Sequence, residues 1–554
     1  MARPNHVVGA LLQEFADLIA VSGGQGFKAR AYEKAARAVL GHHLDVSTLE
    51  LEELQEIPNV GRSTAEKIVE YFATGRIEAL EKMRGKVPPG TRQLMRVPGV
   101  GATKAMVLAG QLGIKSVDEL ESAIGEGRLD GLRGFGPKAV ENIRRGVEQL
   151  RAGGGRVLIP VALDLAETFV STLSAVDGVQ RCAVAGSLRR MKESIRDVDI
   201  VAASAKPEAV MEAFVNMPLV AEVIAHGPEH STVRAVNGLK VDLHVVDEAA
   251  WGTALQYATG SPAHNAKLSS LGSLPARART EEEVYAAVGL AWIPPVLRED
   301  RGELDGAALP ELVRVEDLRG DLHSHTDLTD GVAPLERMVE AALKRGYEYY
   351  AVTDHAPNLV MQRMTDEKML NQRSQLRALD SGDMVLLHGS ELNIDPDGEV
   401  DWGPDFLAGF DICVASVHSQ FRQPAAEMTR RLIRAIENPY VNVIGHLTTR
   451  QIGRRPRIEA DFEAVFEAAA ATGTAIEINS FPDRLDLPDD LVFLARKHGV
   501  KFAVDSDSHS TVHLGNMRFG VAIAQRGWVT AENVINTWPL ARLREFVAAK
   551  RPKA

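Results

Sequence analysis

The chain has 554 residues, of which 45% are hydrophobic and 25% charged, with a formal net charge of −12. That length is too great for one core and predicts three or four domains of ordinary globular composition. No apolar run reaches the length of a membrane span, the first residues lack a signal-peptide pattern, and Cys182 and Cys413 stand too far apart to form a disulfide framework. A cytoplasmic location without membrane contact is therefore expected. The acidity is uneven: residues 1–150 carry 20 basic and 19 acidic side chains. Any nucleic-acid contact there must be local rather than spread over a broad basic face.

In chain order, the first pattern is a short glycine motif that occurs three times. It reads Ile57-Pro58-Asn59-Val60-Gly61, Val97-Pro98-Gly99-Val100-Gly101 and Leu132-Arg133-Gly134-Phe135-Gly136. Each copy follows a helix-like stretch and runs into another: Ser63 to Tyr71, Ala102 to Leu112, and Pro137 to Leu150. Glycine permits positive φ and lets a phosphate approach the free N–H groups at a helix start. The arrangement resembles helix-hairpin-helix motifs, which grip DNA phosphates without reading sequence. Gly61, Gly99, Gly101, Gly134 and Gly136 are the expected contacts. Phe27-Lys28-Ala29-Arg30-Ala31-Tyr32 and Ala65-Glu66-Lys67-Ile68 resemble the small lyase domain of family X DNA polymerases. The resemblance implies 5′-phosphate contacts at Lys28 and Arg30 and a Schiff-base lysine at Lys67. Such a lysine acts only if desolvation or nearby positive charge lowers its pKa.

The middle of the chain holds Asp197-Val198-Asp199-Ile200-Val201. Alternate residues of a strand share a face, so Asp197 and Asp199 project together. With Asp242 from a neighbouring strand they form a set able to hold two magnesium ions for in-line phosphoryl transfer. Gly186-Ser187 and Arg189-Arg190 stand just upstream as donors for a triphosphate. This combination resembles the nucleotidyltransferase palm of family X polymerases. That resemblance extends to Trp251-Gly252-Thr253-Ala254-Leu255 and Tyr257-Ala258-Thr259-Gly260-Ser261, and it implies nucleotide contacts at Gly186, Ser187, Arg190, Tyr257, Gly260 and Asn265. Three departures accompany it. Ile195-Arg196 replaces the usual small residue and glycine before the first aspartate. Ala258 replaces an aromatic residue, and the basic segment after Asn265 is shortened. The stretch from about Arg298 to Leu318, with Glu299, Asp300, Glu303, Asp305 and two glycines, reads as a mobile linker.

Beyond it lies Asp321-Leu322-His323-Ser324-His325, then Asp330. An H-x-H pair on a strand with a carboxylate nearby suits a transition-metal site. More β-prone runs end in potential ligands: Tyr349 to Thr353 then Asp354-His355; Met384 to Leu387 then His388 and Glu391; and Ile412 to Val417 then His418. Val441 to Gly445 precedes His446, and Lys501 to Val504 precedes Asp505, Asp507 and His509. Helical stretches such as Leu335 to Arg345 and Phe462 to Ala471 alternate with them. Alternating strands and helices predict a (β/α) barrel with its reactive groups at the C-terminal strand ends.

Residues 319–554 resemble the polymerase-and-histidinol-phosphatase (PHP) metal hydrolase domain. Carried over, its ligands are His323, His325, Asp330, His355, Glu391, His418, His446, Asp507 and His509, around three divalent ions, manganese or zinc. The whole chain thus resembles a bacterial family X DNA polymerase fused to a C-terminal PHP domain. The expected architecture is a multidomain α/β chain: a lyase-like helical domain (1–85), a helix-hairpin-helix domain (86–150), a mixed α+β palm (151–248), a shortened thumb (249–297), a linker (298–318) and a distorted (β/α) barrel (319–554). The expected function is gap-filling DNA repair synthesis, using magnesium or manganese at the palm, joined to a manganese-dependent 3′-to-5′ exonuclease. The expected partners are gapped or primer-template DNA and deoxynucleoside triphosphates, and the expected state is a monomer. Two alternatives are a PHP nuclease with a DNA-binding N-terminus and a weakened polymerase, and a small-molecule phosphatase of the histidinol-phosphatase type. A purely binding scaffold ranks last because both carboxylate and histidine sets are complete.

Overall fold

A computed structural model describes residues 4–552 apart from 22–25, 41, 43, 89, 96, 98–99, 153–154, 236 and 307. The described chain divides into two units, 1–155 and 156–554.

The first unit is helical. Gly61 caps the helix Arg62–Thr74, its carbonyl accepting from the Thr64 and Ala65 N–H groups at 2.8 and 3.0 Å. Gly101 caps Ala102–Gln111 in the same way, and the Gly136 carbonyl accepts from Ala139 and Val140 as the helix Pro137–Ala152 begins. The expected helix–glycine–helix units are thus present. Leu94, Leu108, Ile114, Leu120 and Ile143 pack the second half of this unit around one apolar centre. Gly99 lies outside the described residues, as does the Arg30 side chain.

The second unit begins with a short strand β1 (Val157–Leu158). It continues through β2 (Val179–Val184), β3 (Ser194–Ile195), β4 (Asp197–Ser204), β5 (Val220–His226), β6 (His230–Ala235) and β7 (Lys240–Val246). β1 pairs with β3 antiparallel, and the remaining five form a mixed sheet in the order β2-β4-β7-β6-β5, with β4 and β7 parallel. Val198, Ile200, Val241 and Leu243 point to a core shared with Phe169 and Phe214 of the helices Ile159–Ser174 and Pro207–Val215. The opposite face meets Trp251 and Leu255 of the helix Trp251–Thr259 and carries the acidic residues.

Seven parallel strands follow in consecutive order: β8 (Gly320–Asp321), β9 (Tyr349–Val352), β10 (Val385–Asn393), β11 (Ile412–Ser416), β12 (Val443–Ile444), β13 (Ala475–Asn479) and β14 (Phe502–Asp505). Helices such as Leu335–Leu343, Ala425–Glu437 and Phe462–Thr472 cross between them. Side chains, rather than a full ladder, draw the two edges together. Asp505 accepts from the Leu322 N–H at 2.9 Å, Asp321 accepts from the Ser506 N–H at 3.1 Å, and Ser324 bridges to Ser508. The result is the expected distorted barrel. Its strand β13 was not anticipated from the sequence.

One expectation fails. The segment 298–318 does not begin as a mobile linker, because Arg298 is wholly buried, and Glu303 nearly so. Arg298 donates to Glu281 at 2.6 Å, Glu303 accepts from the buried His264 at 2.7 Å, and Glu299 and Arg301 are paired with Arg526 and Asp489 of the barrel. Glu299 and Glu303 find partners in distant segments instead of water, while Asp305 and Glu311 stay exposed.

Candidate metal centre and nucleotidyl-transfer site

Each barrel strand delivers its polar residues at or just beyond its C-terminal end, where the pleat stops and side chains can turn inward over the mouth. The nine residues expected as ligands converge there. Glu391, at the end of β10 and fully buried, is the centre of the cluster. Its Oε1 lies 2.8 Å from His446 Nε2 and 3.1 Å from His418 Nε2. Its Oε2 lies 2.9 Å from His355 Nδ1 and 3.5 Å from His323 Nε2. His325 Nε2 sits 3.1 Å from His323 Nε2 and 3.3 Å from Asp507 Oδ1. Asp330, on the open side, stands 3.3 Å from His355 Nε2 and 3.4 Å from His509 Nε2.

Three overlapping groups within this set place one donor atom per residue within 4.8 Å of each other: His325, Asp330, His355 and His509; His323, His325 and Asp507; and His355, Glu391 and His418. Their chemistry, imidazole with carboxylate, suits divalent transition ions. Among the described residues, buried His325 Nδ1 and His446 Nδ1 have no hydrogen-bond partner and are left available to a ligand. Burial opposes ionisation of Glu391, yet the imidazoles of His418, His355 and His323 hold its carboxyl well below the usual range. Burial likewise disfavours a charged His323, but Glu477, Glu391 and Asp507 raise it well above an ordinary imidazole. His325 moves the other way, lowered by burial and by His509 and His355. The carboxylates thus favour positive charge at their centre, which bound cations would supply.

Several supporting residues were not found by reading the sequence. Glu477 of β13, fully buried, accepts from His323 Nδ1 at 2.6 Å and from the His446 N–H at 2.5 Å. Asn479, two residues on, donates to Asp507 Oδ2 at 3.0 Å. Asn393 accepts from His418 Nδ1 at 2.7 Å, and Arg484 Nε approaches Asp507 Oδ2 at 3.7 Å. The signal for Glu477 and Asn479 was the alternation Ala-Ile-Glu-Ile-Asn after a helix and a capping Gly473, the same design as the other strands. Conversely, three residues read as potential ligands do other work. His388 lies inside β10, stacked on Phe410 and accepting from Arg373 Nε at 3.2 Å. Asp354 braces the Thr326 N–H at 2.9 Å and Gln372, while Asp505 supports Leu322.

In the palm, Asp199 stands directly opposite Asp242 across the parallel β4–β7 pair, and Asp197 opposite Lys240. All three carboxylates therefore share one face. Burial, then the neighbouring Asp197 and Asp242, pushes the Asp199 carboxyl up to about 7. Asp242 accepts from Thr232 Oγ1 at 2.5 Å and has His230 Nε2 at 3.4 Å. Gly186 has φ of +60°, and a Cβ there would come within 1.8 Å of Asp199 Oδ2, so glycine is required. Ser187 sits half-buried beside it.

Arg190 differs from its expected role as a free triphosphate donor. It is buried, donating to the Thr259 carbonyl at 2.8 Å and to Glu299 Oε1 at 2.9 Å. Arg196, by contrast, is exposed and pairs with Asp197 at 3.2 Å. Tyr257 projects into solvent at 72% exposure, and Gly260 ends its helix. Asn265 donates to the Tyr257 carbonyl at 2.8 Å and accepts from Gln256 at 3.0 Å, packed so closely on Gly260 that a Cβ there would clash.

In the first unit, a Cβ at Gly61, Gly101, Gly134 or Gly136 would meet nothing within 4 Å, so the space before these turns is open to an incoming group. Gly134 additionally needs its freedom, with φ of +90°. Lys67 Nζ donates to the Ser63 carbonyl and hydroxyl at 2.8 and 2.9 Å and lies over the rings of Phe15 and Tyr32. Lys28 is exposed.

Family models match the helical unit and the barrel. A helix-hairpin-helix domain model matches residues 3–77, a SAM-like helix-hairpin-helix tandem matches 91–149, and a PHP domain model matches 321–481. Over the barrel alone, a probable phosphatase of Thermoanaerobacter sp. (strain X514) is 30% identical over 247 residues, 42% of this chain and 96% of its own. A probable phosphatase of Escherichia coli O81 (strain ED1a) is 30% identical over 244 residues, covering 42% and 94%. The DNA polymerase/3′-5′ exonuclease PolX of Bacillus subtilis (strain 168) is 33% identical over 564 residues, spanning 97% of this chain and 98% of its own. With the helix-hairpin-helix units, the acidic palm and the histidine-rich barrel in one chain and one order, this protein belongs to the PolX family.

Proposed function

We propose that this chain fills gaps in DNA at the palm and trims 3′ ends at the barrel. One observation carries the reading: the same chain holds three palm carboxylates on one sheet face and nine histidines and carboxylates converging at a barrel mouth. At the palm, Asp197, Asp199 and Asp242 would hold magnesium or manganese. Gly186, Ser187, Tyr257, Gly260 and Asn265 border the nucleotide, and Arg196 is the exposed cation nearest the carboxylates. At the barrel, the nine residues would hold three divalent ions, manganese or zinc. Bound there, such ions lower the pKa of water and neutralise charge on a phosphodiester. Glu477, Asn393 and Asn479 orient His323, His418 and Asp507, and burial of His323, His325 and Glu391 excludes bulk water. The glycine turns of the first unit supply sequence-independent phosphate contacts, with Lys28 and Arg30 near a 5′ phosphate and Lys67 as the lyase candidate. DNA and deoxynucleoside triphosphates are the partners, and a cytoplasmic monomer is the working form.

The second reading keeps the nuclease and weakens the polymerase. It is favoured by the commitment of Arg190 to Glu299 and of Arg196 to Asp197. The phosphatase reading has the barrel relatives in its favour and the three DNA-gripping turns against it.

The deciding experiment uses labelled gapped DNA with manganese or magnesium, with and without nucleotides, on the parent, on Asp197→Ala/Asp199→Ala and on His325→Ala. The palm variant should stop extending primers yet still shorten them, and the barrel variant should do the reverse. A parent that shortens but never extends selects the second reading. One that hydrolyses a free phosphomonoester and spares DNA selects the third.

A further inference from the structure

We infer that two arginines of the barrel, Arg450 and Arg526, position the palm loop Arg190–Arg196, so that nucleotide addition depends on the barrel as a scaffold as well as a hydrolase. The inference rests on the polymerase reading above and assigns those residues a part in it.

The loop leads from the Gly186–Arg189 turn to the first palm carboxylate, Asp197, and bends through a positive φ at Met191. Within the palm it is held by β3 pairing with β1, by the Met191 and Lys192 N–H groups donating to the Leu188 and Ser187 carbonyls at 3.0 Å, by Arg156 donating to the Ser194 hydroxyl at 2.9 Å and by the Glu193 carbonyl accepting from the Ile159 N–H at 3.2 Å. Further anchors come from the barrel. Arg526 ends the helix Met517–Arg526 and is 1% exposed. Its Nη1 donates to the Arg190 carbonyl at 2.7 Å, and its Nη2 to Glu299 at 3.0 Å and Asp489 at 2.6 Å. The same two carboxylates face Lys192 at 3.7 and 3.9 Å. At the other end of the loop, Arg450 grips Glu193 with both prongs of its guanidinium, at 3.2 and 2.6 Å. Arg450 Nε donates to the Arg484 carbonyl at 2.9 Å, on the segment that faces Asp507.

Two domains held together only for stability would do as well with an apolar contact, since desolvating ion pairs seldom adds net stability. Forked, charge-assisted hydrogen bonds instead fix direction and register. Here they fix the register of the segment that presents Asp197 and Arg196, on which nucleotide binding turns. A displacement of about 1 Å in such a segment is enough to cost orders of magnitude in rate.

The test is single-nucleotide gap filling at varied nucleotide concentration, run beside the exonuclease assay on full-length protein. Glu193→Gln and Arg450→Met should each raise KM for the nucleotide about tenfold with a smaller change in kcat. Exonuclease activity of Glu193→Gln should stay within about twofold of the parent. Combining the two changes should do no more than either alone, the mark of one shared interaction. Arg450→Lys, which keeps the charge and loses the fork, should remain impaired. Arg526→Met should behave alike if it folds. If it does not, the half-buried Glu193 and Arg450 variants decide. Parental KM in both Glu193→Gln and Arg450→Met overturns the inference, as does a parallel fall of both activities with the melting temperature. A parent unable to extend primers fails at the earlier step, removing the polymerase reading and this one with it.

Discussion

Substituting Glu477 by glutamine isolates the role of a residue that touches no reacting atom yet governs the barrel site. Its Oε1 receives the His323 Nδ1 proton at 2.6 Å, and its Oε2 receives the His446 N–H at 2.5 Å and Asn479 Nδ2 at 3.1 Å. Three donors converge on one fully buried carboxylate. An amide has one acceptor oxygen and one donor nitrogen, so Glu477→Gln must set its NH2 against either His323 or the two donors on Oε2. Facing His323, it would turn the ring to the tautomer protonated at Nε2, the atom that points at Glu391 and Asp507. Facing the other side, it would push away the His446 backbone. Outer partners of metal-binding histidines are worth about 10–100-fold in metal affinity, or roughly 1.4–2.8 kcal/mol. Manganese titration of 3′-end hydrolysis should therefore show a midpoint shifted upward by that factor, with activity recovered at high metal, while gap filling stays at the parental rate. An unchanged midpoint, or a loss that excess metal leaves untouched, refutes the reasoning.

Gly186→Ala should lower gap filling about 100-fold and leave the exonuclease within twofold, because the new Cβ, 1.8 Å from Asp199 Oδ2, moves the one carboxylate that has to stay; near-parental primer extension would count against it. Acid should weaken the unit 156–554 in a defined window. Burial opposes ionisation of Glu281, but hydrogen bonds from Arg189 and Arg298 bring its carboxyl down to about 2, and Arg526 with Lys192 and Arg301 does the same for the buried Asp489. A depressed carboxyl stabilises the fold above its unfolded value and loses that contribution as pH falls through the folded one. At ~1.4 kcal/mol per tenfold change in acidity, Glu281 contributes roughly 3 kcal/mol that disappears between about pH 4.5 and 2. Melting temperatures across that range should fall less steeply in Glu281→Gln than in the parent, and equal slopes would contradict the assignment.

The barrel was legible because its chemistry and its fold share one signature: each apolar run stops where a histidine or acid must turn inward, as at His355, His418 and His446. The helix-hairpin-helix units were legible because their glycine motif recurs three times, each copy opening a helix, as Gly61 and Gly136 do. β13 escaped because Glu477 and Asn479, alternating with Ile476 and Ile478, look like the wet face of an ordinary strand. The alternation is real, but the polar side faces the barrel interior. Arg190 and the 298–318 segment were misread for a related reason. Composition reports that a residue is charged and says nothing of a partner far along the chain. The bond from Arg526 to the Arg190 carbonyl spans 336 positions, and that from Arg301 to Asp489 spans 188. A run of acids and glycines reads as solvated until those cations are in place.

That correction changes what the connection between palm and barrel can do. A loose connector would let either site swing to a bound primer end, so that synthesis and trimming could alternate while the DNA stayed still. The connector observed is pinned by Arg298 to Glu281, by Glu299 to Arg190 and Arg526, and by Arg301 to Asp489, each pair with little access to water. Breaking one partner out of such a buried network strands the others, at about 3–5 kcal/mol. At ~1.4 kcal/mol per tenfold change, a state with such a pair broken is populated at roughly 1% or less. The pinned arrangement is therefore the dominant one, and in it a primer end passing from synthesis to trimming has to leave the first site and be delivered to the second. The first unit, with its helix-hairpin-helix domains, is the part of the chain suited to keep the duplex bound while its end changes sites.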